Sequence, residues 1–221
     1  MSCKKHWSII LLACFISAGC LSLEPRPDPS RFFALTSLPR PGSTAKEDSP
    51  PPNAAFLGIG PIKIPGYLDR EQVVTRISQN RLAIAENDRW AEPLEENFSR
   101  VLSENLSILL QIDRIAAYPW ERSQRPTYQV QVDVLRFEPK QEEVELWARW
   151  TILDDARKIV ISKESYLTQP AKNKSTEASV AAMSETVADL SREMADALRS
   201  IASGKKAENT ATHEVMESSF Q

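Results

Sequence analysis

The sequence is poor in the residues that most catalytic and metal sites use. Its 221 residues include three cysteines and two histidines. The cysteines are Cys3, Cys14 and Cys20, and the histidines are His6 and His213. The long region between Cys20 and His213 therefore offers no disulfide, no cysteine-ligated metal and no cysteine nucleophile. A Ser-His-Asp triad or a zinc site would depend on His213 alone, so we expect no cofactor, no metal and no enzyme activity.

Glycine and clusters of positive charge are also scarce. Only six glycines occur, and Gly58-Ile59-Gly60 is a bare GxG in a strand-like run rather than a phosphate-binding loop. Without Lys4 and Lys5, the basic residues number five fewer than the 30 acidic ones, and they form no basic block. The charge pattern therefore gives no indication of a nucleic-acid partner. Carboxylates are abundant, which leaves a two-carboxylate hydrolase acting in the periplasm open as an alternative.

The N-terminal segment lacks an apolar run long enough to cross a bilayer, which needs roughly 20 apolar residues. Lys4 and Lys5 precede an apolar core at 7–16, and the small residues Ser17-Ala18-Gly19 lead to Cys20. A basic head, an apolar core and a small-residue exit are the parts of a cleaved secretory signal. We therefore predict a signal peptide at 1–19, and we interpret Cys20 as the acylated residue of a bacterial lipoprotein.

Two other interpretations of this segment remain open. Leu11-Leu12-Ala13-Cys14 fits the lipoprotein cleavage pattern better at its first position than Ser17 does, but cleavage there leaves an apolar core of only about six residues. The second alternative is ordinary signal cleavage with an unmodified Cys20. Leu21 follows Cys20, and the absence of an aspartate there resembles the outer-membrane sorting pattern of lipoproteins from Gram-negative bacteria.

The mature chain is expected to form one domain with extensions at both ends. Residues 20–30 contain three prolines and predict a semi-rigid tether, and 31–203 predict a single domain. Within it, 39–53 is rich in proline, serine and charge and predicts a mobile loop. The polar segment 204–221 has no periodicity and is predicted to be disordered.

Hydrophobic periodicity predicts two amphipathic helices and a series of strands. The helices are expected at 88–110 and 175–203, where apolar residues recur every three or four positions. Short apolar or alternating runs predict strands at 31–38, 56–64, 72–76, 81–85, 112–118, 128–134, 144–152 and 158–168. Short turns between neighbouring strands indicate an α/β (α+β) domain whose mostly antiparallel or mixed sheet is covered by the two helices. Trp147 falls on the polar side of its strand, either as cover for the sheet or as a contact for a partner.

Three motifs follow one another between residues 57 and 94. A GIGPI run leads to YLDR at 67–70, a VTR strand ends at Arg76, and DRWAEPL covers 88–94. In this order the motifs resemble the PqiC-type lipoproteins, an auxiliary family of ABC-type intermembrane transport systems. The lipoprotein signal, the domain length and the closing amphipathic helix extend the resemblance over 31–203.

The resemblance implies a fold like the N-terminal domain of TolB and a role without catalysis. It also implies tethering to the outer membrane by the lipid anchor and docking to an MCE-domain protein, whose conduit carries lipids across the periplasm. Such a role would support envelope integrity, and a ring-shaped homo-oligomer around the conduit tip is compatible with it. The alternative of a different class is a structural or assembly lipoprotein of another envelope machine.

Two of these motifs supply the candidate docking residues. The first group, in a loop between strands, is Tyr67, Leu68, Asp69 and Arg70. The second group, at the predicted helix start, is Asp88, Arg89 and Trp90. A purely structural interpretation competes with both. In that interpretation Asp88 caps the helix, Asp69 pairs with Arg70 or Arg89, and Trp90 fills the core.

Overall fold

The structure is a computed structural model that describes residues 28–40, 56–121 and 123–203. The predicted signal peptide, Cys14, Cys20 and the tail 204–221 lie outside the described residues. Most of the predicted tether and most of the proline-rich loop also lie outside them.

The described residues form a mixed sheet of eight strands and two helices, which confirms the predicted α+β class. Helix α1 is Leu94–Leu110 and helix α2 is Thr176–Ala202. Ser175 caps α2, because its hydroxyl accepts a hydrogen bond from the amide of Ala178 at 3.1 Å. The strands are β1 (Arg31–Phe33), β2 (Leu57–Lys63), β3 (Gln72–Ser78), β4 (Arg81–Trp90), β5 (Ile115–Ala117), β6 (Tyr128–Lys140), β7 (Glu143–Asp154) and β8 (Ile159–Pro170).

Strand β6 is the centre of the sheet. One edge of β6 pairs antiparallel with β7 along its length, and β7 pairs antiparallel with β8. The other edge is shared by two groups of strands. The first half of β6 pairs parallel with β2, and β2 in turn pairs with β5. The last residue of β6, Lys140, pairs with Arg76 of β3. Strand β3 forms a hairpin with β4, and β4 carries the short parallel strand β1.

Both helices pack against one face of the sheet. The side chains on that face of β7 are apolar and buried, namely Val144, Leu146, Ala148, Trp150 and Ile152. Phe98 of α1 meets Phe137 of β6 edge to face, with ring centroids 5.4 Å apart. The buried stripes of the two helices complete this core.

An irregularity in β6 decides which side chains face the helices. The register with β7 shifts between Val134 and Arg136, as a β-bulge requires. After the shift, Phe137 lies opposite Leu146 on the helix side, and Glu138 lies opposite Glu145 on the other face. The alternation predicted for 128–134 therefore does not continue unchanged to the end of the strand.

The first predicted strand is much shorter than expected. Only β1 has strand structure, and the chain after Phe33 runs beside the two helices. Its main-chain amides donate to helix side chains instead of to a neighbouring strand. Leu35 donates to Asn97 at 3.2 Å, Thr36 to Ser184 at 3.1 Å and Leu38 to Asn105 at 2.7 Å. The prediction of a single strand at 31–38 is therefore wrong. Within this run Leu35 is buried, whereas Phe32 is exposed.

The predicted helix start at 88 is also wrong. Asp88, Arg89 and Trp90 are the last residues of β4, and they pair with β1. The amide of Trp90 donates to the carbonyl of Glu71 at 2.7 Å, which keeps this segment in the sheet. The helix begins only after Pro93, which occupies its N-cap. Proline is tolerated there because the first-turn amides have no partner inside the helix.

The GxG motif in β2 has a structural explanation. A Cβ atom on Gly58 would lie 2.7 Å from Pro126 and 2.9 Å from the Trp120 ring. Gly60 has a φ of +113°, a backbone conformation that favours glycine. Strand β2 also shifts register between Ile59 and Ile62, as expected for a strand interrupted by Pro61.

Candidate docking recess

The two predicted docking groups meet at one edge of the sheet. A surface recess of about 550 Å³ lies between the β2–β3 loop, the end of β4 and strand β1. Four of the predicted residues line it: Asp69, Arg70, Arg89 and Trp90. Its other lining residues are Phe32, Glu71, Ala91, Glu92 and Pro93. We call this site the docking recess.

The docking recess has an aromatic floor and a rim of mixed charge. Trp90 is only 6% exposed, whereas Phe32 is 65% exposed. Arg89 pairs with Glu71 at 3.0 Å rather than with Asp69. Asp69 and Arg70 are exposed, and within the described ranges neither forms an ion pair. Both therefore remain available on the rim.

Asp88 lies next to the docking recess and holds its walls together. Arg31 donates to the two carboxylate oxygens of Asp88 at 2.7 and 2.9 Å, and the hydroxyl of Thr176 also bonds to this carboxylate. The contacts join the end of β4 to β1 and to the first turn of α2. Asp88 is 6% exposed, so its role in the structure is that of a buried link, not of a helix cap.

Tyr67 and Leu68 turn away from the docking recess. Leu68 is 2% exposed and belongs to the hydrophobic core. The Tyr67 hydroxyl donates to Glu138 of β6 at 2.7 Å. The YLDR motif is therefore divided, with two residues anchored inside the protein and two on the recess.

A buried ionic cluster occupies the face of the sheet opposite the helices. Glu138 and Glu145 lie directly across from each other on β6 and β7, and they are 0% and 1% exposed. Glu138 accepts hydrogen bonds from Tyr67, from Arg76 Nε at 2.5 Å and from the amide of Phe137 at 3.0 Å. Glu145 bonds to Lys140. Each carboxylate thus has its own cation, as buried charges require.

These contacts change the titration of the groups involved. Burial, reinforced by the bond to Glu138, raises the pKa of Tyr67 to about 12. Burial lowers the pKa of Arg76, but the hydrogen bond and charge of Glu138, together with Tyr67, outweigh burial and leave that pKa above its ordinary value. For Glu145, burial raises the pKa, but the contacts with Lys140, Tyr166 and Arg136 together bring it below the usual value. The contacts within the cluster therefore favour the charged forms of Arg76 and Glu145.

Sequence reasoning missed Glu138, Glu145 and Arg76 as a connected group. The available signal was a glutamate in the middle of two otherwise apolar or alternating strands. The bulge after Val134 and the register between β6 and β7 decide that these glutamates meet, and neither can be derived from the residue pattern.

Trp147 covers part of the face of the sheet that lies opposite the helices, which we call the open face. Its indole Nε1 donates to Glu164 at 2.7 Å, and the guanidinium of Arg136 lies 5.8 Å from its ring centroid. The first of the two interpretations of Trp147 agrees with this position.

A two-carboxylate hydrolase needs two acids that converge on a substrate, one of them with a raised pKa. The three buried carboxylates, Asp88, Glu138 and Glu145, are each paired with a cation. Glu95, on the first turn of α1, is an exposed residue. Partial burial of its carboxyl, together with the charges of Asp69 and Glu96, raises its pKa. Over the described ranges, no group of three or more His, Cys, Asp or Glu side chains is placed to hold a metal ion. Likewise, no helix among these residues is both long and apolar enough to span a membrane.

The fold and the docking recess together define a class: a sheet with both helices on one face and a mixed-charge recess at one edge. Two solved structures share this fold. One is the crystal structure of an uncharacterised protein, with a TM-score of 0.63 and 20% identity, covering 76% of this chain and 98% of the other. The second is protein XCC0632 from Xanthomonas campestris, of the family DUF330, with a TM-score of 0.64 and 16% identity, covering 79% of this chain and 98% of the other. At these identities the likeness establishes the fold.

The family follows from the sequence itself. Residues 34–195 match the model of the ABC-type transport auxiliary lipoprotein component, and the chain belongs to that family. It is a lipoprotein family of the cell envelope that serves transport, and it is not an enzyme class. No curated protein sequence matches the chain significantly.

Proposed function

We propose that this protein is an outer-membrane-tethered subunit of an MCE/ABC-type intermembrane lipid transport system. In this role it docks the far end of the MCE conduit through the docking recess and supports envelope integrity. The membership in a transport auxiliary family supports the general role. The observation that carries the docking site is the meeting of the YLDR and DRWAEPL motifs in one recess.

The composition of the recess fits a protein segment better than a small apolar ligand. Phe32 offers exposed aromatic surface beside the buried Trp90, and aromatic side chains are enriched at the centres of protein interfaces. Arg70 and Asp69 present both signs of charge at the rim. Charges of this kind set the orientation and the choice of a partner more than they set affinity.

The experiment is crosslinking of intact envelopes followed by affinity purification of the tagged protein. Recovery of an MCE-domain protein with the wild type, and its loss with Arg70→Glu, is the expected result. Lys158→Glu is the matched control, because Lys158 is also exposed but lies in the turn between β7 and β8. Recovery of other envelope proteins without an MCE-domain protein would contradict the proposal.

The proposed anchor is Cys20, acylated with multiple chains, because a single chain holds a protein only marginally at a membrane. Cys20→Ala is expected to release the protein from outer-membrane fractions while its circular dichroism stays unchanged. Mass analysis of the mature N-terminus distinguishes Cys20 from Cys14. Continued sedimentation of Cys20→Ala with membranes would place the anchor elsewhere.

The proposal includes a homo-oligomer around the conduit tip. Native mass spectrometry of the protein purified in detergent measures this directly. A single species of several copies is expected, and a monomer at all concentrations would remove this part of the proposal.

A further inference from the structure

The hydroxyl of Tyr67 is bound on the face of the sheet opposite the helices and not in the docking recess. It donates to Glu138 on the open face of the sheet, and Glu138 itself is 0% exposed. Two residues further along the same loop, Asp69 and Arg70 stand on the rim of the docking recess. The loop between β2 and β3 is therefore anchored at its middle and exposed at its end.

Arg76 brings a second element to the same carboxylate. Its Nε bonds to Glu138 at 2.5 Å, its Nη1 donates to the carbonyl of Gln79 at 3.1 Å, and its guanidinium lies 5.8 Å from the Tyr67 ring centroid. Arg76 is also the residue through which β3 pairs with β6. Because β3 and β6 share this one pair, the ion pair between Arg76 and Glu138 adds a side-chain link between the β3–β4 hairpin and β6.

The two anchored elements form adjoining walls of the docking recess. The loop supplies Asp69, Arg70 and Glu71, and the hairpin ends in Arg89 and Trp90. The amide of Trp90 donates to the carbonyl of Glu71 at 2.7 Å, which closes the loop onto the hairpin. A movement of either element would change the distance between the walls.

We propose that Glu138 is a positioning residue of the docking recess, acting through Tyr67 on the β2–β3 loop and through Arg76 on the β3–β4 hairpin. Tyr67 then belongs to the docking site as an internal anchor rather than as a contact for the partner. This inference rests on the proposed docking function for its binding readout, and its structural readout is independent of that function.

Glu145 provides a matched control inside the same cluster. It lies directly opposite Glu138, on the same face and equally buried. Its cations, however, are Lys140 and Arg136, both of β6, and they do not belong to the walls of the recess. Glu145→Gln therefore removes the same charge from the same environment without releasing the loop or the hairpin.

The first readout is hydrogen exchange of the full chain in three variants: Tyr67→Phe, Glu138→Gln and Glu145→Gln. The amides to follow are those of Leu68, Arg70 and Trp90, which are hydrogen-bonded across the loop. Tyr67→Phe and Glu138→Gln are expected to speed their exchange about 3- to 10-fold, the factor that corresponds to one hydrogen bond. Glu145→Gln is expected to leave their exchange unchanged.

The second readout is the affinity for the purified MCE-domain protein, measured by interferometry. Tyr67→Phe and Glu138→Gln are expected to weaken binding by a factor similar to the change in exchange, and Glu145→Gln to leave it unchanged. Unchanged exchange in the first two variants, or equal changes in all three, would overturn the positioning role. Faster exchange with unaltered affinity would overturn it as well. Absence of binding by the wild type would refute the proposed function, and the exchange data would still decide whether Glu138 holds the walls.

Discussion

The same strands present different side chains to the two faces of the sheet, the one beneath the helices and the open face. Beneath the helices, β6 and β7 present Phe137, Leu146 and Trp150 to an apolar core. On the open face the same strands present Glu138 and Glu145, each matched with a cation. Alternation along a strand produces both sets at once, because successive side chains point to opposite faces.

The two faces therefore contribute in different ways, one to the stability of the domain and the other to the position of the docking recess. Burying apolar area is the main favourable contribution to folding, whereas a buried ion pair recovers little more than its own desolvation cost. An ion pair with several hydrogen bonds, however, tolerates only one geometry. We therefore assign most of the stability of the domain to the helix face and the placement of the docking recess to the open face.

The largest effect is expected on the helix face. Phe137→Ala removes a fully buried ring that packs against Phe98, and it should lower the free energy of unfolding by about 4 kcal/mol. Urea denaturation followed by circular dichroism measures this. Ile84→Ala, at a position that is 53% exposed, is the control and should change stability by less than about 0.5 kcal/mol. Similar losses for the two variants would contradict the assignment of the core to this face.

The next largest effect concerns the ion pair of the open face. Arg76→Met leaves Glu138 buried without its cation and should lower the free energy of unfolding by about 3 kcal/mol. The double variant Arg76→Met, Glu138→Leu should recover part of this loss, because it removes the isolated charge. Equal stability of the double variant and Arg76→Met in urea would show that the charge is not the cause.

A smaller effect is expected for Glu145, and it depends on pH. Its folded pKa lies below the unfolded value, so its contribution is present above about pH 4.3 and is lost as the pH falls through the folded pKa. Glu145→Gln should cost about 2 kcal/mol at pH 7. The difference between wild type and variant should shrink between pH 5 and pH 3, as measured by urea unfolding at each pH. A constant difference over this range would refute the assignment.

Tyr67 should show the opposite dependence on pH with a still smaller magnitude. Its folded pKa of about 12 lies above the ordinary value of 10.0, so its contribution is complete below pH 10 and is lost as the pH rises towards the folded pKa. Tyr67→Phe should cost about 1 kcal/mol at pH 7. In a pH titration followed by phenolate absorbance, the ionisation step at the highest pH should be absent from this variant. Retention of that step in Tyr67→Phe would assign it to another tyrosine.

The smallest effect on stability is expected at the docking recess itself. Arg89 and Glu71 form an exposed pair at 3.0 Å, and such pairs contribute about 0–1 kcal/mol. Glu71→Gln should therefore leave the unfolding midpoint nearly unchanged. A loss comparable to that of Arg76→Met would mean that this pair, and not the buried cluster, fixes the walls of the recess.

The elements with strong periodicity could be predicted from the sequence, and those decided by long-range pairing could not. Both helices and strands β6 to β8 follow from their apolar spacing. The apolar spacing that begins at Trp90 predicts a helix from residue 88, but the backbone of 88–90 pairs with β1 and β3. The apolar run predicts a strand that includes Leu35 and Leu38, although polar side chains of α1 bind their amides.

The candidate site was predictable in part for the same reason. Sequence motifs identified Asp69, Arg70, Arg89 and Trp90, and the fold brings them into one recess. The role of Glu138 could not be predicted, because it depends on a bulge in β6 and on a side chain that reaches it from 71 residues away.

Site-specific photocrosslinking in living cells tests the central claim most directly. A photoreactive amino acid at position 69, on the rim of the docking recess, is compared with one at position 166, where Tyr166 is 58% exposed on the open face of β8. A crosslink to an MCE-domain protein is expected from position 69 and none from position 166. A crosslink to that protein from position 166 but not from position 69 would contradict it.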